Sequence, residues 1–228
     1  MSGIAKIRQR MDDSRSGSTT FAPGKEVWLK DGEQMFLSSV ATGDPEDLMI
    51  DDFRMYTFRK DNRWTSVLQD DAVDQSEVPS DVNASKKFAF WAFIHEIIHE
   101  EKKNDEWEAV GQKGSTKQMF KETVNDFRIV SLGFGRNGYI WNQLEELYDD
   151  WGDRLDKGVI RIKRTGAGLD TSYSISSTSR ELEIPEDKMP EIDDLESIRE
   201  YFLSHYGGAK EEESTKDSTK TGGLGDLF

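Results

Sequence analysis

The amino-acid sequence predicts a mainly β fold with α-helical insertions, followed by a C-terminal helix and a disordered tail. Three observations support this prediction. Short apolar or alternating segments typical of strands recur along the chain, one amphipathic helical segment precedes the last two of them, and both chain ends are polar. With 228 residues and a hydrophobic fraction of 35%, the chain is long enough to bury a core.

The first half of the chain supplies most of the predicted strands. Two segments flank the Asp31-Gly32 pair and are predicted to form a hairpin, because Asp-Gly favours a tight turn between strands. A later segment alternates cleanly, and another is apolar on both faces, as a central strand is. The acidic, polar residues 69–85 are predicted to be a long loop. The four strand segments are 25–30, 34–41, 53–60 and 86–98.

The second half contains the clearest helix, at 139–151. Its apolar residues Ile140, Leu144 and Leu147 recur at helical spacing. Residues 114–125 fit either a helix or a loop. The remaining elements are strands at 127–134, 158–164 and 171–176, a turn at 135–138 and a second helix at 192–206.

Several strands, then one helix, then two more strands is the order expected of a five-stranded Greek-key barrel, the OB-fold, with insertions. Other small all-β barrels fit the same order. The glycine loop at 165–170 joins two strands rather than a strand and a helix, so it is predicted to be a hairpin connection. The predicted organisation is a flexible basic arm at 1–24, the barrel domain at 25–206 and a disordered acidic tail at 207–228.

The charge distribution bounds the choice of function. The formal net charge of -15 by itself argues against nucleic acid, but residues 181–228 hold 14 acids against 5 bases, so much of the excess lies near the C-terminus. The absence of cysteine excludes disulfides and thiolate metal sites. The sequence has no apolar run of signal-peptide or membrane-spanning length.

One cluster of residues is unusual for an acidic protein. Three aromatic residues are interleaved with four cations within eleven positions. Single-strand binding combines such groups, because cations neutralise phosphates and rings stack on bases of any sequence. The alternative is a core strand with a basic turn at its end. The cluster comprises Arg54, Tyr56, Phe58, Arg59, Lys60, Arg63 and Trp64.

Two further clusters have a similar composition. In the strand at 158–164, Arg161 and Lys163 lie on the face opposite the apolar residues, and Tyr173 lies on the next strand. The alternative here is a solvated strand face. Lys86 and Lys87 precede an aromatic run, for which a buried strand is the stronger alternative.

The sequence His95-Glu96-Ile97-Ile98-His99 matches the HExxH motif of zinc metalloproteases. That chemistry needs a helix, so that both imidazoles reach one Zn²⁺. The preceding run FAFWAF is typical of a strand, and two acidic residues follow the motif directly. We therefore interpret the motif as a strand leaving the core, and a zinc-dependent hydrolase remains the alternative function.

Residues 127–175, FRIVSLGFGRNGYIWNQLEELYDDWGDRLDKGVIRIKRTGAGLDTSYSI, resemble the single-stranded DNA-binding proteins of tailed phages. The block IKRTGxGLDTxY is the most specific part of a resemblance that covers roughly residues 20–206. It implies an OB-fold body that binds single-stranded DNA without strong sequence preference, in replication, recombination and repair. It bears on Arg161, Lys163, Arg164, Thr165, Gly166, Gly168, Thr171 and Tyr173.

The resemblance also bears on cofactors, partners and location. T-even-phage relatives carry a Cys/His zinc site, but without cysteine no such zinc is expected here, and no other cofactor is expected. The acidic tail ends in Asp226, Leu227 and Phe228, and it is similar to tails that recruit polymerases and helicases. A binding protein rather than an enzyme is therefore expected, in the cytoplasm of an infected bacterium. A protein-interaction module that does not bind DNA is the third alternative.

Overall fold

A computed structural model describes residues 25–111, 118–167 and 170–207 of the chain. The predicted arm at 1–24 and almost all of the predicted tail lie outside the described residues. The elements are β1 (Glu26–Val27), β2 (Gln34–Ser39), β3 (Ile50–Lys60), β4 (Arg63–Leu68), β5 (Ser85–His99), β6 (Glu108–Gly111), β7 (Gln118–Gly133), α1 (Tyr139–Asp150), β8 (Val159–Thr165), β9 (Ser172–Ser177) and α2 (Ile198–Tyr206).

Strand β5 is the centre of the sheet, and both of its faces are buried. Phe88 and Phe90 point into one apolar cluster, whereas Trp91 and Phe93 point into a second cluster on the opposite face. Such burial explains why its sequence is a nearly continuous apolar run rather than an alternating one. The prediction of a central strand at 86–98 is confirmed.

The strands form one curled, open sheet with the hydrogen-bonded order β1-β7-β5-β2-β8-β9. One edge of β5 pairs with β7, and the other pairs with β3 near its start and with β2 near its end. The register shifts between Phe36 and Leu37 in the β2–β5 pair and between Ile94 and Glu96 in the β5–β7 pair. Such irregularities are typical of β-bulges. The mainly β prediction is confirmed, although the described chain has nine strands rather than five.

The two helices cover opposite faces of the sheet. Helix α1 buries Ile140, Leu144 and Leu147 in the cluster inside the curl, as its spacing predicts. Helix α2 packs on the other cluster and begins with a capping box, in which Ser197 and Glu200 satisfy each other's backbone N–H groups. None of the helices in the described ranges is long and apolar enough to cross a membrane.

Three local predictions are wrong. β1 does not form a hairpin with β2 but pairs in parallel with β7, because both edges of β2 are occupied by β5 and β8. Residues 118–125 are neither helix nor loop but the start of β7. The second helix is shorter than the predicted 192–206, because Met189–Asp194 forms a separate 3-10 turn and α2 begins at Ile198.

Candidate nucleic-acid interface

Strands β3 and β4 form a two-stranded ribbon that extends beyond the central sheet. The last pair between β3 and β5 is Met55 with Ser85, and the residues beyond it pair only with β4. Asp61 and Asn62 close the ribbon with φ angles of 50° and 62°, as a type I′ turn requires. The tip of the ribbon is therefore surrounded by solvent rather than by other strands.

The ribbon exposes a ring and cations at its tip. Trp64 is 72% exposed, and the Arg59 guanidinium lies 5.7 Å from the centre of its ring. Among the described residues, Arg59 and Arg63 have no ion-pair partner, whereas Lys60 pairs with Glu77 at 2.6 Å. These are the groups that a flexible, charged polymer can contact without displacing protein partners.

Other members of the predicted ribbon cluster are less accessible. Phe58 is 5% exposed, so in this structure its ring does not reach solvent. Tyr56 is half-buried, and Arg54 is exposed opposite Lys86 in the register. The sequence pattern indicated that β3 carries aromatic residues and cations. The structure shows which of these side chains are exposed and that Phe58 is buried.

Strand β8 places its predicted site residues on two faces. Arg161 and Lys163 lie on the face opposite the buried Ile160 and Ile162, as predicted. Tyr173 pairs with Arg164 in the register and packs against the inner cluster, so it does not share a surface with Arg161. Burial raises the pKa of the Tyr173 phenol.

Arg161 lies beside a cavity of about 480 Å³ on the outer face. Its lining includes Lys121 and Arg180, neither of which stood out in the sequence. The Arg180 guanidinium lies 3.7 Å from the centre of the Phe36 ring and pairs with Glu96. Both of these additional cations are thus already engaged, since Lys121 pairs with Glu108 at 2.7 Å.

Lys86 and Lys87 point to opposite faces because they are neighbours on a strand. The Lys86 ammonium pairs with Asp52 at 3.0 Å and lies 4.4 Å from the centre of the Phe134 ring. It borders a cavity of about 520 Å³ that holds aromatic residues such as Trp141 beside several carboxylates. The acidic rim makes this larger cavity a poor place for a phosphate.

Lys87 lines a smaller cavity of about 210 Å³, here named the seam cavity. It lies where β1 and the end of β7 face β8 and β9 across the open side of the sheet. Arg164 and Tyr173 also line it, so residues from two separate sequence clusters meet there. Trp28 completes the group, although it was predicted only as part of a strand.

The HExxH residues lie on β5, which is a strand, as interpreted from the sequence. His95 bonds Ser38 at 2.9 Å, and its burial lowers the pKa of its imidazole. His99 is fully buried between Glu33 and Glu122, with each ring nitrogen 2.9 Å from a carboxylate oxygen. Within the described ranges, no group of three or more His, Asp and Glu side chains is arranged to hold a metal ion. The helix on which zinc metalloproteases depend is not formed at this motif.

The environment of His99 perturbs its titration. Burial lowers the pKa of the imidazole, but hydrogen bonds to Glu122 and Glu33 outweigh that effect and leave the pKa above its ordinary value. The Trp107 ring stacks on the imidazole, with centroids 3.9 Å apart and an angle of 8° between the planes. This is a structural network that ties β5 to β7 and to the segment before β2.

No family model matches the chain, and no curated protein matches it.

Proposed function

We propose that this protein binds single-stranded DNA with little sequence preference, and that the ribbon tip is a main contact surface. The observation that carries the proposal is the exposed Trp64 ring flanked by Arg59 and Arg63, which have no ion-pair partner among the described residues. Stacking on a ring and neutralising phosphates are sequence-tolerant interactions, because every base has a π-face and every nucleotide a phosphate.

We further propose that the body is an elaborated OB-fold. In support, the path β7-β5-β2-β8-β9 comprises five strands, and α1 lies between the third and fourth of them in chain order. β1, β3, β4 and β6 are then additions to that framework, and the ribbon of β3 and β4 is the addition that carries the exposed ring and cations.

The resemblance to tailed-phage proteins gives the biological setting of the proposal. The protein protects and organises single strands during phage replication, recombination and repair, in the cytoplasm of the bacterial host. It acts by binding rather than by catalysis. Its C-terminal residues Asp226, Leu227 and Phe228 recruit a polymerase, helicase or other replication protein, since an apolar tip on a charged tail suits capture by a pocket.

Ribbon variants test the proposed contact surface. We expect Trp64→Ala to weaken binding to an oligo-dT strand by about 1–3 kcal/mol, as loss of one stacked base does. The double variant Arg59→Ala, Arg63→Ala is expected to weaken binding and to reduce the slope of log K against log salt by about 1.4, that is, two phosphates at about 0.7 each. Fluorescence anisotropy of labelled oligo-dT measures both effects.

The matched control is the double variant Arg154→Ala, Lys188→Ala. Both of these side chains are cations paired with neighbouring carboxylates outside the ribbon. Circular dichroism shows whether each variant keeps the fold. If the ribbon variants bind as tightly as the control with the same salt slope, the ribbon is not the contact surface.

A further inference from the structure

The seam cavity brings two cations and two rings together from four separate segments. Lys87 lies on β5, Arg164 on β8, Tyr173 on β9, and Trp28 follows β1 directly. The hydrogen-bonded sheet does not close at this point. A single strand of DNA that enters the seam cavity meets positive charge and aromatic surface. It does not have to separate paired β-strands.

Arg164 has an unused donor inside this region. Its Nη1 donates to the Leu29 carbonyl at 2.5 Å, and its Nη2 donates to the Thr171 hydroxyl at 3.3 Å. Its Nε is buried and has no hydrogen-bond partner. Within the described part of the chain, it is the one buried side-chain nitrogen or oxygen without such a partner. A buried donor left unpaired is costly, so the position favours an external acceptor.

The positive charge of Lys87 is also only partly balanced by negative charge nearby. Within the described residues its ammonium forms no ion pair, and Glu26 is the charged group that acts on it at longer range. Burial lowers the pKa of Lys87 against that attraction. An anion beside the ammonium would restore the stabilisation that burial removes.

Trp28 combines exposure with anchoring. It is 46% exposed, and its indole Nε1 donates to Glu26 at 3.3 Å. Glu26 in turn accepts a hydrogen bond from the Tyr206 hydroxyl at the end of α2. The ring is therefore held at its polar edge while nearly half of its surface faces solvent, as a stacking platform requires.

We infer that the seam cavity is a nucleotide subsite, in which one phosphate of a single strand is bound by Lys87 and the Arg164 Nε and a neighbouring base stacks on Trp28. The inference rests on the proposed function and extends it to a second contact, separate from the ribbon. The subsite takes a phosphodiester with an unpaired base, and it does not select among bases, because stacking uses the π-face.

The test uses the full chain and labelled oligo-dT in an anisotropy titration over a salt series. We expect Trp28→Leu to weaken binding about tenfold, with the salt slope unchanged. Lys87→Met is expected to weaken binding and to reduce the magnitude of the slope by about 0.7, whereas Lys87→Arg retains both. Arg164 is left intact because its hydrogen bonds to the Leu29 carbonyl and the Thr171 hydroxyl help to hold the fold together.

Matched controls are Leu48→Ala, which removes an exposed apolar side chain elsewhere, and Lys188→Met, which removes a cation on the turn before α2. Both are expected to bind as the unaltered chain does. If the unaltered chain binds but Trp28→Leu and Lys87→Met match these controls, the subsite is overturned and the proposed function stands. If Lys87→Met leaves the slope unchanged, the phosphate placement is overturned. No binding by the unaltered chain overturns both proposals.

Discussion

At the scale of single residues, His99 shows that the chemistry of a sequence motif depends on its backbone conformation. On a helix, its spacing from His95 would point both rings at one metal, but on β5 the irregularity at His95 and the pairing with β2 and β7 separate their environments. His99 instead bridges Glu33 and Glu122 beneath the Trp107 ring. Its chemistry is that of a buried ion network.

This network makes stability depend on pH. The pKa of His99 is raised in the folded chain, so its protonated form stabilises the fold below the unfolded value of about 6.5, and that stabilisation is lost as pH rises through the folded pKa. We expect the free energy of unfolding of the unaltered chain to fall from pH 6 upward. His99→Gln removes the titrating group and is expected to flatten this part of the profile.

Urea denaturation at a series of pH values measures the difference. The comparison with His99→Gln isolates this residue from other groups that titrate, including Glu26, whose burial raises its carboxyl pKa. A profile of the variant as steep as that of the unaltered chain between pH 6 and 8 would show that His99 does not cause the dependence.

At the scale of elements, the sequence predicts best where the pattern alone decides. β5 is apolar on both faces because it is central, and α1 follows helical spacing because one face packs inside the curl. The hairpin prediction failed because pairing depends on which edges are free, and β2 had none. The sequence pattern of residues 118–125 does not decide their secondary structure. These residues form the start of β7, which pairs with β5 and with the short β6 at an irregular stretch.

Two boundaries had signals in the sequence. Ser197 and Glu200 have the spacing of a capping box, which places the start of α2 correctly. Asp61 and Asn62 are residues that tolerate positive φ, which indicates a two-residue turn and therefore β4. These signals indicate a second helix that begins at Ile198 and a second strand in the ribbon.

The candidate site was less predictable than the elements. Composition singled out the ribbon, but only the three-dimensional structure distinguishes the exposed Trp64 from the buried Phe58. The seam cavity could not be predicted, since its lining residues lie far apart in sequence and meet through sheet topology. Trp28 carries no local signal for binding, because its segment has the composition of an ordinary strand.

At the scale of the whole molecule, the described ends of the body lie together. The backbone N–H of Lys25 donates to the Tyr201 hydroxyl at 2.7 Å, and Tyr206 donates to Glu26. Glu26 also holds Trp28 beside the seam cavity. The end of α2, which precedes the acidic segment in the sequence, therefore lies close to the proposed nucleotide subsite.

This placement predicts that the tail competes with DNA. A chain ending at Gly207 keeps the backbone hydrogen bond to Leu203 at the end of α2, so we expect it to fold. Without Glu211, Glu212 and Glu213 it should bind single strands at least as tightly as the full chain, with the gain largest at low salt. Anisotropy titrations of both chains measure the effect, and a pull-down with a phage polymerase or helicase measures partner binding.

Weaker DNA binding by the shortened chain would contradict the competition. Partner binding that survives the truncation would contradict the proposed role of Asp226, Leu227 and Phe228. The two outcomes are separate, because the proposed competition depends on the acidic residues and the proposed partner contact depends on the apolar tip.

The measurement that tests the central proposal most directly is the salt dependence of binding to single-stranded oligo-dT and to a duplex of the same length. Three phosphates neutralised by Arg59, Arg63 and Lys87 predict a slope of log K against log salt of about -2 for the single strand. The account also predicts tighter binding to the single strand than to the duplex at each salt concentration. A slope near zero, or tighter binding to the duplex, would contradict it.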